Sequence, residues 1–125
     1  METIDYIIIA LKIIVGLSIL NVWLIQYKKP TKWRGGSAKT IVEEFKVYGL
    51  SKSFCYFIGF LKVTLAILLL ASINFKILTL LSSIGLAVLL IGSVFMHIKI
   101  KDPLYKSFPA VLFILMNLII VYSVF

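Results

Sequence analysis

The chain has 125 residues, of which 62% are hydrophobic, and a formal net charge of +8 at pH 7. A soluble domain is usually nearer half apolar, so this composition excludes an ordinary soluble protein and indicates a membrane protein with one domain, residues 1–125. Seven of the thirteen Lys and Arg residues lie within 28–53, and three lie within 99–106. This clustering is typical of membrane topology, so nucleic acid is not expected as a partner.

Four apolar runs are each long enough to cross about 30 Å of hydrocarbon, which takes roughly 20 helical residues. Backbone groups in lipid must be hydrogen-bonded within their own segment, so each run is predicted to be an α-helix. The predicted spans are residues 4–27, 54–73, 76–97 and 107–125. The sequence therefore predicts an all-α membrane protein that forms an antiparallel four-helix transmembrane bundle.

The connection between the first two spans is the longest of the chain. Its first part, KKPTKWRGG, contains Pro and paired Gly residues and is predicted to be irregular. For residues 38–48 we predict a short amphipathic helix, with Thr40 and Glu43 as a capping box and Gly49 as its stop. Its apolar face is expected to meet the bilayer or the bundle and consists of Ile41, Phe45 and Tyr48. A solvated connector without such a helix is the alternative.

The connection KIKDPLYKS before the last span contains two candidate helix starts. Asp102 is suited to cap a helix that has Pro103 in its first turn. Alternatively, the helix starts at Ser107 and has Pro109 in its first turn. The sequence leaves both open.

The two basic connections join spans one to two and three to four, so they lie on the same side of the membrane. The opposite side carries Lys76 in its turn and the acidic residues Glu2 and Asp5 near the N-terminus. Basic loops stay preferentially in the cytoplasm. The sequence therefore predicts a cytoplasmic segment 28–53 and both termini outside.

Lys62 lies inside the second apolar run, on a helix face whose other members are small: Cys55, Gly59 and Ala66. Small residues let helix backbones approach each other, so Lys62 is predicted to point into the bundle. Two interpretations stay open. The ammonium snorkels toward the basic interface, or it forms a buried polar site, as a cation or a neutral amine, for an anion or a headgroup. Its candidate neighbours in that case are backbone carbonyls, Asn117 and serines of the third span such as Ser93.

His97 stands at the basic end of the third span. A single histidine excludes a bis-histidine haem within one chain, and no metal site is predicted around it. Two roles stay open for His97. It is a hydrogen-bonded histidine at the membrane interface, or it transfers protons or contacts a quinone. Lys12 is expected to pair with Asp5, which lies on the same helix face. The candidate site thus consists of Lys62, His97, Asn117 and Ser93, without a catalytic residue.

Three stretches, in order, resemble the DoxX-like family of small membrane proteins. They are IIVGLSILNVW, EEFKVYGL followed by FIGFLKVTLAILLL, and MHIKIKDPLYKSFPAVLFILMNLIIV. Many members of that family have a lysine late in the first span and a glutamate in the second. This chain has Asn21 and Lys62 at those positions, so an activity that rests on such a pair is not expected here.

The resemblance implies a bacterial plasma membrane protein that is not catalytic on its own. The first expectation is a non-catalytic interaction, assembly or anchoring component whose partner is another membrane protein. The alternative is a membrane subunit of a quinone-linked redox system, with quinone as the only cofactor considered, and the third choice is a small anion transporter. A free-standing bundle in the lipid bilayer and a homodimer are both compatible with the small-residue faces.

Overall fold

The computed structural model describes residues 2–125, and within them every regular element is helical. Four helical segments are long and apolar enough to cross a membrane. Their bounds are Thr3–Ile25, Lys52–Ala71, Lys76–Lys99 and Leu104–Tyr122. The all-α fold class predicted from the sequence is confirmed, and the predicted span ends differ by a few residues.

Five α-helices make up this architecture: α1 Thr3–Leu20, α2 Ile41–Val47, α3 Lys52–Ala71, α4 Thr79–Lys99 and α5 Phe108–Tyr122. The first span does not continue as α-helix to its end, because Asn21–Ile25 forms a wider π-helical turn. Short 3₁₀ turns, Lys76–Leu78 and Leu104–Ser107, lead into α4 and α5.

The four spanning helices form a closed ring in which α1 packs on α3 and α5, and α4 packs on the same two helices. Short connections force α3, α4 and α5 to alternate in direction. The pair α1 and α3 is antiparallel as well, since Gly16 of α1 lies against Leu70 late in α3, while Trp23 lies against Gly59 early in α3. The ring is therefore the predicted antiparallel bundle.

The interior of the bundle is a compact apolar cluster contributed by all four spanning helices: Val15, Ile19, Ala66, Leu69, Leu86, Leu90 and Ile120. Large apolar side chains also cover much of the outer surface, as Phe60, Val88 and Leu115 illustrate. Exposing such a large apolar surface to water is unfavourable, whereas lipid chains solvate it. The fold is that of an integral membrane protein.

The loop helix α2 packs onto the end of the bundle that carries the basic connections. Ile41 and Phe45 are buried there with Cys55 of α3, and Val22, Trp23 and Ile58 pack around them. The apolar face predicted for this helix is thus turned to the bundle.

The capping residues predicted from the sequence are found at both ends of α2, but one predicted contact is missing. The Thr40 hydroxyl caps the helix by accepting from the Glu43 amide at 3.1 Å, and Gly49 adopts φ +85° just beyond the last turn. The predicted capping box is only half formed, because the Glu43 carboxylate accepts from the Lys39 amide instead of the Thr40 amide. Extended backbone at Thr40 (φ −133°) makes the helix shorter than the predicted 38–48.

At the last span, the structure selects the second of the two helix starts. The α-helix begins at Phe108 with Pro109 in its first turn, and a 3₁₀ turn follows Pro103. Asp102 does not cap a helix, because its carboxylate is bound to His97 and to the Gly36 amide.

Candidate functional site

A cavity of about 310 Å³ lies at the basic end of the bundle, beneath α2 and the first loop. Apolar side chains such as Ile19, Val22, Ile58 and Phe113 form much of its wall. Its charged and titratable members come from five parts of the chain and are Arg34, Glu44, Tyr48, Lys62, His97 and Lys106. Ligand sites in proteins typically combine such an apolar wall with a few convergent polar groups and begin at about 300 Å³.

Lys62 reaches into this cavity from α3 and is only 7% exposed. Its ammonium donates to the Ser93 hydroxyl of α4 at 3.0 Å and lies 5.6 Å from the centre of the Trp23 ring. Ser93 in turn donates to the Leu89 carbonyl at 3.3 Å. No carboxylate of residues 2–125 forms a salt bridge with Lys62. The side chain points into the bundle and not into lipid.

The part of the cavity wall beside Lys62 depends on the π-helical turn at the end of the first span. There the Gln26 amide bonds to the Asn21 carbonyl at 2.9 Å, five residues back, which widens the turn that holds Trp23. The indole packs against α3 at Gly59, which has no side chain to obstruct it. The small face around Lys62 therefore accommodates an aromatic ring as well as a neighbouring helix.

Arg34 brings a second cation to the cavity from the first loop and is 6% exposed. Its Nη2 donates to the carbonyls of Gln26 and Lys29 at 2.7 and 3.2 Å. Its Nε is buried and has no hydrogen-bond partner among residues 2–125. Burial lowers the pKa of Arg34, and the nearby Glu44 carboxylate opposes that effect.

Glu44 is the acidic member of the lining. Its Oε2 accepts a hydrogen bond from the Gly35 amide at 2.5 Å, which ties the loop to α2. Burial is the main cause that raises the pKa of Tyr48 above its usual value, and the charge of Glu44 acts in the same direction. Tyr48 is therefore a neutral hydroxyl in the cavity wall throughout the physiological range.

A polar cluster of Tyr48, His97 and Asp102 joins α2 to the connection between α4 and α5. His97 Nδ1 lies 2.7 Å from Asp102 Oδ2, and His97 Nε2 lies 3.5 Å from the Tyr48 hydroxyl. When the imidazole is neutral and Nδ1 carries its proton, Nε2 is an acceptor for the Tyr48 hydroxyl. The cluster thus holds one histidine orientation.

The same carboxylate also fixes the first loop. Asp102 Oδ1 accepts from the Gly36 amide at 3.0 Å, and Lys106 donates to the Gly36 carbonyl at 2.7 Å. Gly36 has φ +56°, a conformation that side-chain-bearing residues rarely adopt. Burial acts to raise the pKa of Asp102, but hydrogen bonds from His97 and the Gly36 amide, with the charge of Lys106, hold that pKa below its ordinary value.

A family model described as the DoxX-like family matches residues 34–119. The chain belongs to the DoxX-like family. The matched region contains Arg34, Glu44, Lys62, His97 and Asp102, whereas the first span, with Trp23, precedes it. No curated protein and no solved structure significantly matches the chain.

Three of the four candidate residues of this DoxX-like protein line the cavity together: Lys62, Ser93 and His97. Asn117 is not among the lining residues. Its amide donates to the Phe113 carbonyl at 2.8 Å, and its Oδ1 is buried without a partner among the described residues. Within residues 2–125 no group of three or more His, Cys, Asp or Glu side chains is arranged to hold a metal ion.

The partner expected for Lys12 was wrong. Lys12 is buried at the other end of the bundle, where it donates to the Ser72 carbonyl at 3.2 Å and to the Thr79 hydroxyl at 3.1 Å. Asp5 instead accepts from the Glu2 amide at 3.0 Å in a capping box. The carbonyl that ends α3 is a closer acceptor than a carboxylate two turns away on the same helix.

Sequence reasoning missed Arg34, Glu44, Tyr48 and Asp102 as members of the cavity region. Glu44 and Tyr48 had a readable signal, because they are four residues apart on a helix whose apolar face was already expected to meet the bilayer or the bundle. Arg34 and Asp102 had none, since their burial depends on how the two connections fold onto each other.

Proposed function

We propose that this DoxX-like protein is a non-catalytic binding and interaction component of the bacterial plasma membrane, and that its cavity holds a small amphiphilic molecule. The observation that supports this proposal most strongly is that the same cavity is lined by both apolar and polar side chains. Polar groups from α2, α3, α4 and the first loop line a cavity whose wall is otherwise mostly apolar. A ligand with a polar head and an apolar body matches both parts.

The position of the cavity supports the same proposal. It lies at the end of the bundle where the basic connections meet the membrane interface, and the apolar interior cluster forms its floor. An amphiphile in the bilayer presents its headgroup at this depth. We propose further that residues 28–53 are cytoplasmic and both termini are outside, because ten Lys and Arg residues lie in the two basic segments and only Lys76 lies in the opposite turn.

A quinone-linked redox subunit is the second candidate, and the cluster of Tyr48, His97 and Asp102 favours it. A quinone carbonyl accepts hydrogen bonds, and both Lys62 and a protonated His97 are donors in the cavity wall. This function requires a redox partner protein that exchanges the electrons. An anion transporter is supported less, because the packed cluster around Leu69 and Leu86 fills the bundle between the cavity and its other end.

Tryptophan fluorescence tests whether the cavity binds an amphiphile. Both tryptophans of the chain, Trp23 and Trp33, line the cavity, so no other indole contributes to the signal. Methyl 9,10-dibromostearate, a neutral amphiphile whose bromines quench indoles at contact, is added to the protein in detergent. We expect saturable quenching that the unbrominated ester reverses and that is reduced in Trp23→Phe.

Quenching that rises linearly and is not reversed by the competitor means that the ester only enters the micelle, and the proposed function then fails. Co-purification in mild detergent separates the two candidate functions. A dehydrogenase or flavoprotein that purifies with the chain supports the redox subunit, and a membrane protein without a redox group supports the interaction component.

A further inference from the structure

Two buried cations line the same cavity, and they come from different parts of the chain. Lys62 is presented by α3 and Arg34 by the first loop, and each is more than nine-tenths buried. Charged side chains are costly to bury in a membrane protein and are retained mainly where they meet a partner or a substrate. Two buried basic side chains at one cavity therefore need a nearby negative charge to offset the cost of their burial.

The described carboxylates do not supply enough of it. Glu44 is the only carboxylate of residues 2–125 in the lining, and its Oε2 is engaged by the Gly35 amide. Asp102 lies outside the lining, where His97, the Gly36 amide and the ammonium of Lys106 occupy its carboxylate. Within the lining, Lys62 and Arg34 therefore meet a single carboxylate, so basic groups are in excess at the cavity.

Both buried cations also keep unused hydrogen-bond donors. An ammonium has three N–H groups, and the one described acceptor of Lys62 is the Ser93 hydroxyl. The Nε of Arg34 has no described acceptor at all. Unused donors on buried cations are the groups that an anionic headgroup satisfies, because charge-assisted hydrogen bonds are stronger than neutral ones.

One part of the cavity wall reaches the outer surface of the bundle. Val88 of α4 lines the cavity although its side chain is 60% exposed. One turn further, Gly92 also lines the cavity, and a methyl group placed there would have no atom within 4 Å. An apolar chain therefore has room to leave the cavity along α4 toward lipid.

We propose that the cavity binds an amphiphile with an anionic headgroup, a carboxylate or a phosphate, which is held by Lys62 and Arg34 while its acyl chain passes Val88 and Gly92. This inference rests on the proposed function, because it names the chemical class of the amphiphile.

The experiment compares two brominated probes that differ only in head charge. One is 9,10-dibromostearate, used at a pH where its carboxylate is ionised, and the other is its methyl ester. We expect wild-type protein to bind the carboxylate about tenfold or more tightly than the ester, since a hydrogen bond to a buried charge is worth at least that factor. Lys62→Met and Arg34→Gln should each remove most of this preference, measured as the ratio of the two dissociation constants in the same variant.

Lys12→Met is the matched control, because it replaces an equally buried lysine that does not line the cavity. It should retain the preference for the carboxylate. Arg34→Lys covers the case in which Arg34→Gln does not fold, since it keeps the charge and should retain part of the preference. The wild-type comparison needs no variant.

The outcomes separate the inference from the proposed function. Equal binding of carboxylate and ester overturns the inference and leaves the proposed function standing. Absence of saturable binding by either probe overturns both. If inorganic phosphate at millimolar concentration displaces dibromostearate as completely as stearate does, the site takes a free anion and the amphiphile is the wrong ligand class.

Discussion

The ring of Trp23 lies directly over Gly59, so close that a methyl group at residue 59 would come within 2.6 Å of the indole. Gly59→Ala is therefore expected to lower the free energy of unfolding by about 1–3 kcal/mol, because a rigid ring in a packed wall must move. Thermal unfolding in detergent measures the effect. Gly92→Ala is the matched control, since its new methyl group meets no atom and removal of a helical glycine stabilises by about 0.5–1 kcal/mol. Equal changes in both variants would contradict the close packing.

The two buried lysines should respond differently to the same substitution. Lys62→Met is expected to leave the unfolding free energy unchanged or higher, because no carboxylate loses a partner and Ser93 keeps its bond to Leu89. Lys12→Met should lower it by about 1–3 kcal/mol, since the Ser72 carbonyl and the Thr79 hydroxyl lose a buried donor. Chemical or thermal denaturation of both variants in one detergent decides the point. A larger loss for Lys62→Met would mean that this lysine is a structural bond and not an open site.

Asp102 is expected to make the docking of the first loop dependent on pH. Its folded-state pKa lies below the ordinary 3.8, so its stabilising contribution is complete above that value and is lost as the pH falls through the folded pKa. Asp102→Asn should lower the free energy of unfolding by about 1–3 kcal/mol at neutral pH, because His97 and the Gly36 amide lose a charged acceptor. Melting temperatures measured from pH 7 down to about pH 2 should fall less for this variant than for wild type, with the difference arising below pH 3.8.

Asp5→Asn is the control for that series, because it changes a carboxylate at the opposite end of the bundle. It should keep the wild-type dependence of the melting temperature on pH. If the Asp102→Asn protein loses stability in acid as steeply as wild type, another group sets the pH dependence.

The orientation of α2 predicts unequal effects at two neighbouring residues. Phe45 is buried against the bundle, whereas Lys46 is exposed. Phe45→Asp is expected to cost about 3 kcal/mol or more, since it removes a core aromatic and buries a carboxylate. Lys46→Asp should change stability by roughly 0.5 kcal/mol or less. Thermal unfolding compares them, and equal effects would mean that the loop helix does not pack on the bundle in solution.

The proposed orientation predicts which loop is reached from outside an intact cell. In a Cys55→Ser background, an impermeant maleimide should label Lys76→Cys in the turn between α3 and α4 and should not label Lys32→Cys in the first loop. Both positions are exposed in the structure, so a difference in labelling reports sidedness and not burial. Labelling of Lys32→Cys in intact cells would invert the assignment.

The features that sequence predicted well are those set by local periodicity. Cys55, Gly59, Lys62 and Ala66 share a buried face because residues four and seven apart on a helix lie on one side, whatever the rest of the chain does. The apolar face of α2 follows from the same rule. Periodicity does not distinguish contact with lipid from contact with protein, so the packing of α2 on the bundle required the structure.

The features that sequence did not predict depend on contacts between distant parts of the chain. Gly36 and Asp102 are 66 residues apart and meet because two connections fold over the same end of the bundle. The π-helical turn at Asn21–Ile25 likewise has no pattern in the sequence that separates it from ordinary apolar helix. Asn117 was assigned to the site because it is polar in an apolar span, but its amide bonds within its own helix.

The two hydrogen bonds of Lys12 affect how the whole bundle can move. By bonding to the last turn of α3 and to the first residue of α4, it fastens three of the four spans together at the end opposite the cavity. We therefore expect movements that widen the cavity to be hinged at that end and to separate the helices most where Trp23, Lys62 and Ser93 meet. Amide protons near Ser72 should exchange slowest, and those of α2 and the first loop fastest.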